Sequence, residues 1–573
     1  KVMNSVLGRD KKHVTPESIL VDGQRVTGTV LAEHFNAYFV NAAMPDYKRK
    51  SGSMSHTQFL EYSVSDSLFL TPTDEDEIVR MFMSLTNSRA LDVNNMQIKP
   101  VKYVIACISS VLKHIFNLAM VTATFPEEMK KAKVSVIYKG GDQQCMKNYR
   151  PISVLPVFSK GLEKIICNRI TSFFSSKHIL SDSQFGFRKG RSTETALLTM
   201  KEFIVHNIEK RLYTLGLFID FSKAFDSLSH QILADKLFAC GIRGKPLDLL
   251  KSYLQNRQQY VCFQGSKSPF LSISRGVPQG SILGPLLFNL YINDLVNIDK
   301  SAKFVIYADD STILFSGPNV GDLVSECNNT LSTLSTWSSL NELKINPTKT
   351  KIVIFHARSK TVQLLNPISY EGQNIAVVDE HKILGVTFSS HLSWNSHVEE
   401  LCRRLSSTTG ALSRCQRLLP TKVKLQIYYA LFASHLNYCN LVWITTTKQN
   451  LNKILLLQKK ILRHIADIPY LASTRTVFQE YTVMRVQHLY KFRVLQAFYF
   501  SDTYKKFLET ISHLKLNDTT ISTRHTLAWF VPHYRTTYNL QALHYNLPSI
   551  LNEYTELTTA THRQLREFFT SML

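Results

Sequence analysis

Residues Phe304 to Phe315 read FVIYADDSTILF, and the rest of the sequence falls into place around them. Two runs rich in β-branched and aromatic residues flank Ala308-Asp309-Asp310, which predicts two buried strands with the acidic pair in the tight turn between them. Adjacent carboxylates at the tip of a buried hairpin repel each other and lose hydration. They stay ionised only where cations lie between them and some other charge. An Asp-Asp turn on a surface is the plain alternative, because Asp is a common turn residue. A second acidic strand upstream shifts the balance. Leu215 to Asp226 reads LGLFIDFSKAFD, with Leu215, Leu217, Ile219 and Phe221 alternating onto one face and Asp220 pointing the other way. A lone Asp at the end of an apolar strand is costly unless it is paired or metal-bound. Asp220 and Asp309 together offer hard oxygen ligands for two Mg2+ ions, with Mn2+ as a substitute. Two such ions about 4 Å apart serve phosphoryl transfer by activating a hydroxyl and stabilising a leaving oxyanion.

The composition fits a charged polymer as partner. Lys and Arg outnumber Asp and Glu by 67 to 44, a formal charge of +23, which points to nucleic acid or an anionic surface. With 573 residues and 44% hydrophobic content the chain can form two to four domains with large cores, and wholesale disorder is excluded. No uninterrupted apolar run approaches the length of a membrane span, so no membrane association is expected, and no signal-peptide pattern is seen at the start. The nine cysteines are scattered, without C-x-x-C or His/Cys ligand spacing, and are expected as buried thiols in a reducing compartment. The sequence opens on Lys1 rather than Met, which suggests a piece of a longer product.

Several other stretches carry readable patterns. Thr29–Val40 has helical spacing, Thr71–Leu85 resembles an acidic helix capped by Thr73, and Tyr103–Met120 is apolar with helical periodicity. Lys130–Asp142 predicts a strand followed by a Lys-Gly-Gly-Asp turn, in which Lys139 could reach a phosphate or could be a solvated turn residue. Ser159–Phe173 predicts an amphipathic helix. Ser181–Arg191, SDSQFGFRKGR, is a loop whose glycines and arginines suit an anion. Arg275–Leu287, RGVPQGSILGPLL, packs three Gly and two Pro into ten residues, so it predicts a loop that lets backbone approach a ligand closely.

Taken together, these blocks resemble the reverse transcriptases of non-LTR (LINE-type) retrotransposons. Tyr307-Ala308-Asp309-Asp310 is similar to the family's YxDD box, and Asp220 stands where the family has its other metal-binding Asp. YRPIS at Tyr149–Ser153, SDSQFGFRKGRS, and GVPQGSILGPLLFNLYINDL between the two Asp strands resemble further family segments. The resemblance implies two Mg2+ ions held by Asp220, Asp309 and the backbone carbonyl of Phe221, with Asp310 supporting them or the primer end. It implies a nucleotide pocket shaped by Phe225, Gln279 and Gly280, with Arg188 at the incoming triphosphate and Lys349 near the pyrophosphate leaving group. For Arg188 the alternative is a position along the template groove, for Lys349 a turn lysine, and for Phe225 a core ring.

The implied fold class is α+β, a right-hand polymerase with fingers, a ferredoxin-like palm with an antiparallel sheet, and a helical thumb, plus helical N- and C-terminal extensions. The expected divisions are 1–125 as an N-terminal extension, 126–390 as fingers and palm, 391–475 as a basic helical thumb, and 476–573 as a region without derivable chemistry. Lys382–Phe388 resembles a primer-grip hairpin. His397–Asp467 carries eleven Lys or Arg against three acids, a face suited to a duplex backbone. Tyr438, Trp443 and Leu457–Lys460 resemble the family's thumb, while Arg524 and His544–Pro548 resemble its C-terminal region. The implied partners are an RNA template, a DNA primer or target and dNTPs, with oligomeric state open, and the implied location is intracellular, nuclear and cytoplasmic. An upstream endonuclease domain, a zinc knuckle and RNase H are not expected within these residues. Two rival readings stand beside this one: an RNA-directed RNA polymerase, and a degenerate copy that only binds nucleic acid.

Overall fold

The computed structural model describes residues 18–21, 24–41, 55–61, 64–364, 366–517, 528–534 and 536–572. The expectations attached to Lys1 and Arg524 lie outside these residues.

The N-terminal helices form where the periodicity predicts them. Helix α1 (Gly28–Asn41) buries Leu31, Ala32, Phe35 and Phe39. Helix α2 (Glu75–Ser84) has three acids in its first turn, and its cap is Asp74 rather than Thr73. Asp74 Oδ1 accepts from the Glu77 amide at 2.7 Å, while the Thr73 hydroxyl donates instead to the Glu77 carboxylate. The correction is a shift of one residue, since Asp caps as well as Thr. Helix α3 (Ile98–Thr122) packs on α2. It carries an 18-residue window of mean hydropathy 1.8, a third of it buried, and so is long and apolar enough to cross a membrane by length and composition. Lys102, Lys113 and His114 interrupt the run, so a search for unbroken apolar stretches passes over a helix whose average is high.

Two sheets follow. The chain enters β1 (Lys131–Tyr138) and β2 (Tyr149–Val154), then α4 (Val157–Ser176) and α5 (Thr193–Glu209), then β3 (Tyr213–Asp220). After three short helices come β4 (Arg257–Phe263), α6 (Gly284–Tyr291) and the hairpin β5 (Lys303–Tyr307) and β6 (Asp310–Gly317). Helix α7 (Val320–Leu340), β7 (Lys351–Phe355) and the hairpin β8 (Glu380–Ile383) and β9 (Val386–Ser389) complete this part. The central sheet has the order β7-β3-β6-β5, extended beyond β7 by Ala376–Val377, and β3, β6, β5 and β7 pair antiparallel. With helices between β3 and β5 and between β6 and β7, the connectivity is β-α-β-β-α-β. The second sheet runs β2-β1-β4, with β1 and β4 parallel. The molecule is thus a mixed α/β structure.

Strand β3 is covered on both sides. Leu215, Leu217 and Ile219 enter one core, while Phe218 enters another with Leu314 and Val353. The sequence pattern places an apolar face on one side only, and the second face is closed by the elements that return to pack there.

Downstream the chain is helical, with α8 (Asn395–Arg414) packed on α9 (Lys448–Ala466), then α10 (Val486–Tyr499), α11 (Asp502–Ser512) and α12 (Leu543–Glu553). Tyr438 donates to the Leu384 carbonyl at 2.7 Å, which ties these helices to the turn between β8 and β9. The C-terminal segment closes back onto α5. Lys201 Nζ donates to the Gln541 carbonyl at 2.8 Å, the Leu543 amide donates to Glu202 at 2.9 Å, and Tyr504 donates to Glu194 at 2.7 Å. The HYNLP stretch forms the first turns of α12, with Pro548 inside the helix.

A buried ion pair lies behind the central sheet. Lys236 Nζ meets Asp294 Oδ1 at 2.8 Å, both side chains fully buried, and the Trp337 indole N–H donates to the same oxygen at 3.2 Å. Burial presses the Lys236 ammonium below its ordinary range, and Asp294 opposes that shift. Asp294→Ala would leave an uncompensated charge in the core, so denaturant unfolding should show a loss of about 3–5 kcal/mol. A loss below about 1 kcal/mol would contradict this account of the core.

Candidate active site

The site forms where β3 and β6 end together. In their antiparallel register Asp310 lies directly opposite Asp220, so both carboxylates leave the same face of the sheet, with Cβ atoms about 5 Å apart. Asp310 also pairs with Tyr307, which leaves Ala308 and Asp309 as a two-residue turn. Ala308 takes φ 55°, a left-handed conformation that an L-residue adopts only when its surroundings impose it. Those surroundings come from the loop beneath. The Phe185 amide donates to the Ile306 carbonyl at 2.7 Å, and the Ile306 amide donates to Ser183 at 2.8 Å. A Cβ on Gly186 would lie 2.5 Å from the Ala308 nitrogen, so only glycine lets the two backbones approach this closely.

The hairpin tip differs from the sequence expectation in one respect. Asp309 and Asp310 are exposed, because the turn projects past the sheet rather than into the core. The mutual repulsion remains. The Asp310 carboxyl is pushed up to about 6, by loss of hydration first and then by Asp309 and Asp220, with Arg150 opposing. Burial likewise raises Asp220, Lys349 holds it down, and Asp309 raises it further.

These carboxylates suit a magnesium site completed by substrate. Among the described residues no three His, Cys, Asp or Glu side chains converge tightly enough to hold a metal by themselves. Magnesium is commonly bound by one or two carboxylates with substrate phosphates and water supplying the other positions, so Asp220 and Asp309 fit it. The backbone supports Phe221 as a further ligand. Phe221 bridges Ile345 antiparallel, and the flanking bonds Ser222 N–H to Lys344 and Asn346 N–H to Asp220 carry that bridge. Phe221's own carbonyl therefore points away from Ile345, toward the side on which β6 begins.

Among the described residues Lys349, Lys139 and Arg150 bear on the acids, and Lys223 stands beside Lys139 and Asp226. Lys349 Nζ is 3.8 Å from Asp220 Oδ2 and its side chain is 69% exposed, so the turn between α7 and β7 delivers a mobile charge to the carboxylate. Lys139, Arg150 and Lys223 complete the group. Burial lowers Lys139 below its ordinary range, its neighbours Arg150, Lys349 and Lys223 press it down further, and Asp226 opposes them. Such a cation cluster beside carboxylates is a place for a polyanion. Sequence reasoning left Lys139 undecided and gave Arg150 no role. The pairing of β1 with β2 is the signal that unites them, since it brings the residues flanking the connecting loop side by side.

The Gly-rich loop closes another side. The Gln279 side-chain nitrogen donates to both Asp226 oxygens at 2.8 Å, and its backbone carbonyl accepts from the Ser153 amide at 2.8 Å. Gly280 has φ 124°, and a Cβ there would meet the Ser153 carbonyl at 2.5 Å. Asp226, pushed up to about 6 by burial with Gln279 opposing, is a member of the site that the sequence motifs did not mark out. Phe225 stacks on Phe288 at 4.3 Å between ring centroids and meets the edge of Phe187 at 6.3 Å.

Arg188 is the exception among the named residues. Its Nη1 donates to the Ser181 and Gln184 carbonyls of its own loop, and its charged neighbours are Arg191 and Asp182. Nη1 is held by its own loop, and among the described residues no hydrogen bond or ion pair joins the guanidinium to the carboxylates. The cations that bear on them are Lys139, Arg150 and Lys349.

Residues 130–388 match the family described as reverse transcriptase (RNA-dependent DNA polymerase). The chain is 30% identical over 443 residues to a probable RNA-directed DNA polymerase from transposon BS of Drosophila melanogaster, covering 75% of this chain and 48% of that protein. It is 27% identical over 443 residues to the RNA-directed DNA polymerase from mobile element jockey of the same species, covering 75% and 48%. It is 27% identical over 482 residues to the probable RNA-directed DNA polymerase from transposon X-element, covering 82% and 53%. The chain spans about half the length of these curated relatives. Over residues 130–388 it carries a reverse transcriptase domain of the LINE type.

Proposed function

We propose that this chain is an RNA-directed DNA polymerase, adding dNMP to a primer 3′-hydroxyl on an RNA template and releasing pyrophosphate. The observation that carries the reading is the Asp220–Asp310 register with Asp309 in the adjoining turn, faced by Lys139, Arg150 and Lys349. In this reading the central sheet is the palm, the β1–β2 sheet belongs to the fingers, and residues 391–475 form the thumb. Residues 1–125 and 476–573 are extensions, and the enzyme works inside the cell, in nucleus and cytoplasm.

Bound divalent ions would supply charge stabilisation at the attacking and leaving oxygens. The protein's own residues do the rest. Asp220, Asp309 and the Phe221 carbonyl would hold the ions, with Asp310 supporting them or the primer end. Lys139 and Arg150 neutralise the triphosphate from the β1–β2 side, and Lys349 offers charge to the departing pyrophosphate. The Gln279–Asp226 bond fixes the Gly-rich loop as a wall for the base pair. Phe225, held by Phe288 and Phe187, places a flat ring where a 2′-hydroxyl would project and offers that hydroxyl no partner.

Three outcomes follow. Asp309→Asn keeps shape and removes charge, so primer extension should fall at least about a thousandfold, the scale of ~4 kcal/mol, with folding intact. Near-normal extension would remove the carboxylates from the chemistry. Arg150→Ala should raise the KM for dNTP about tenfold, with a smaller effect on kcat. An unchanged KM would take Arg150 out of the nucleotide site. Phe225→Val should keep dNTP incorporation within about tenfold and raise rNTP incorporation by roughly a hundredfold, or ~3 kcal/mol of discrimination. A valine enzyme as selective as its parent would leave Phe225 as core alone, and a parent that prefers rNTPs would favour an RNA-directed RNA polymerase.

A further inference from the structure

A groove of about 880 Å3 lies between α5 and the C-terminal segment, away from the carboxylates, and its size falls in the ~300–1,000 Å3 range of ligand pockets. Lys189, Lys303, Lys506 and Lys515 line it, and so do Phe203, Phe507 and Phe530. Among the described residues two acids line it, and both are already matched. Asp182 is paired with Arg191 at 2.7 Å and Glu202 with Lys201 at 3.3 Å. Among the described residues none of the four lysines is drawn into an ion pair, so their charge faces the groove uncompensated.

The walls are fixed. The bonds from Lys201, Glu202 and Glu194 lock the C-terminal segment onto α5. Phe530 is 50% exposed yet held, since its amide donates to the Lys515 carbonyl at 3.0 Å. Its neighbour Trp529 is clamped through its backbone by Asn552 at 3.0 and 2.7 Å. A half-exposed ring on a rigid support, among uncompensated lysines, is the combination that binds unpaired bases and their backbone together.

We propose that this groove is a second nucleic-acid site that takes a single strand, its lysines meeting phosphates and Phe530 stacking on a base. Two elements join it to the reaction centre. Lys303 opens β5, whose other end is Tyr307, so the groove edge lies about 13 Å along that strand from the turn with Asp309. The loop that braces Ala308 through Gly186 continues to Lys189 in the groove. That the strand is an unpaired part of the polynucleotide being copied rests on the polymerase reading above, whereas the site itself rests on its lining.

The test measures fluorescence anisotropy of labelled oligonucleotides on the full chain, without Mg2+ or dNTPs, so it is independent of catalysis. The probes are single-stranded RNA, single-stranded DNA of the same sequence, an RNA–DNA duplex and inorganic polyphosphate. Lys506→Ala with Lys515→Ala should weaken single-strand binding about tenfold and flatten the log–log salt dependence by about 1.4, for two lost contacts. Phe530→Ala should weaken it about tenfold, and Phe530→Trp should restore parent affinity. Duplex affinity should stay within about twofold in every variant, with thermal midpoints unchanged. Preference of the parent for RNA assigns the groove to a template strand, and preference for DNA to a displaced strand. Variants that bind both single strands as the parent does would overturn the proposal. So would equal losses for single strands, duplex and polyphosphate, which would reduce the groove to a charged face without base recognition.

Discussion

The register between β3 and β6 is the constraint on which the structure depends. Like charges directly opposite each other in a ladder are destabilising, and here Asp220 and Asp310 are opposed. The register holds because the pairs behind them are largely apolar and buried, including Ile313 with Leu217 and Phe315 with Leu215. A slip of one residue would send every side chain of β6 to the wrong face. The hydrophobic ladder therefore fixes two acids where repulsion alone would part them. Their repulsion is offset at the strand ends by lysine and arginine from three other parts of the chain.

Most of what approaches this pair does so through backbone. Gly186 lies against Ala308 from below, and Gly280 lies against Ser153 at the side. Gln279 binds Asp226 through its side chain and Ser153 through its carbonyl, so one residue connects the helix that follows β3 to the β1–β2 sheet. Close backbone packing of this kind leaves little room for the walls to drift. Side chains such as Lys349 and Arg150, both largely exposed, stay free to follow a charged ligand.

Legibility in the sequence follows the range of the interaction. The hairpin at Tyr307–Asp310, the strand ending at Asp220 and the helices α1 and α7 are legible because apolar periodicity and a turn are local properties. The β8–β9 hairpin is legible through its likeness to a family segment rather than through periodicity. The coverage of β3 on both faces is not, because it depends on elements that return from far along the chain. The parallel pairing of β1 with β4 is hidden for the same cause. In the site, the motif residues Asp220, Asp309, Asp310, Gln279 and Lys349 do gather at the strand ends or their border. Arg188 is tied through Nη1 to its own loop, and a motif shows which residue is present but not which local carbonyls its guanidinium meets. Lys139, Arg150 and Asp226 act through neighbours distant in sequence, so composition and spacing are silent on them. The attachment of the C-terminal segment to α5 is of the same kind, for it rests on single polar bonds that no local pattern announces.

The central claim is that this chain copies RNA into DNA at the Asp220–Asp309–Asp310 cluster. Run-off extension of a labelled DNA primer on a defined RNA template, with dNTPs and Mg2+, tests it most directly. The account predicts a full-length product whose sequence is set by the template, lost on chelation and regained when Mg2+ is returned. No extension by the folded chain, or a product built equally well from rNTPs, would contradict it.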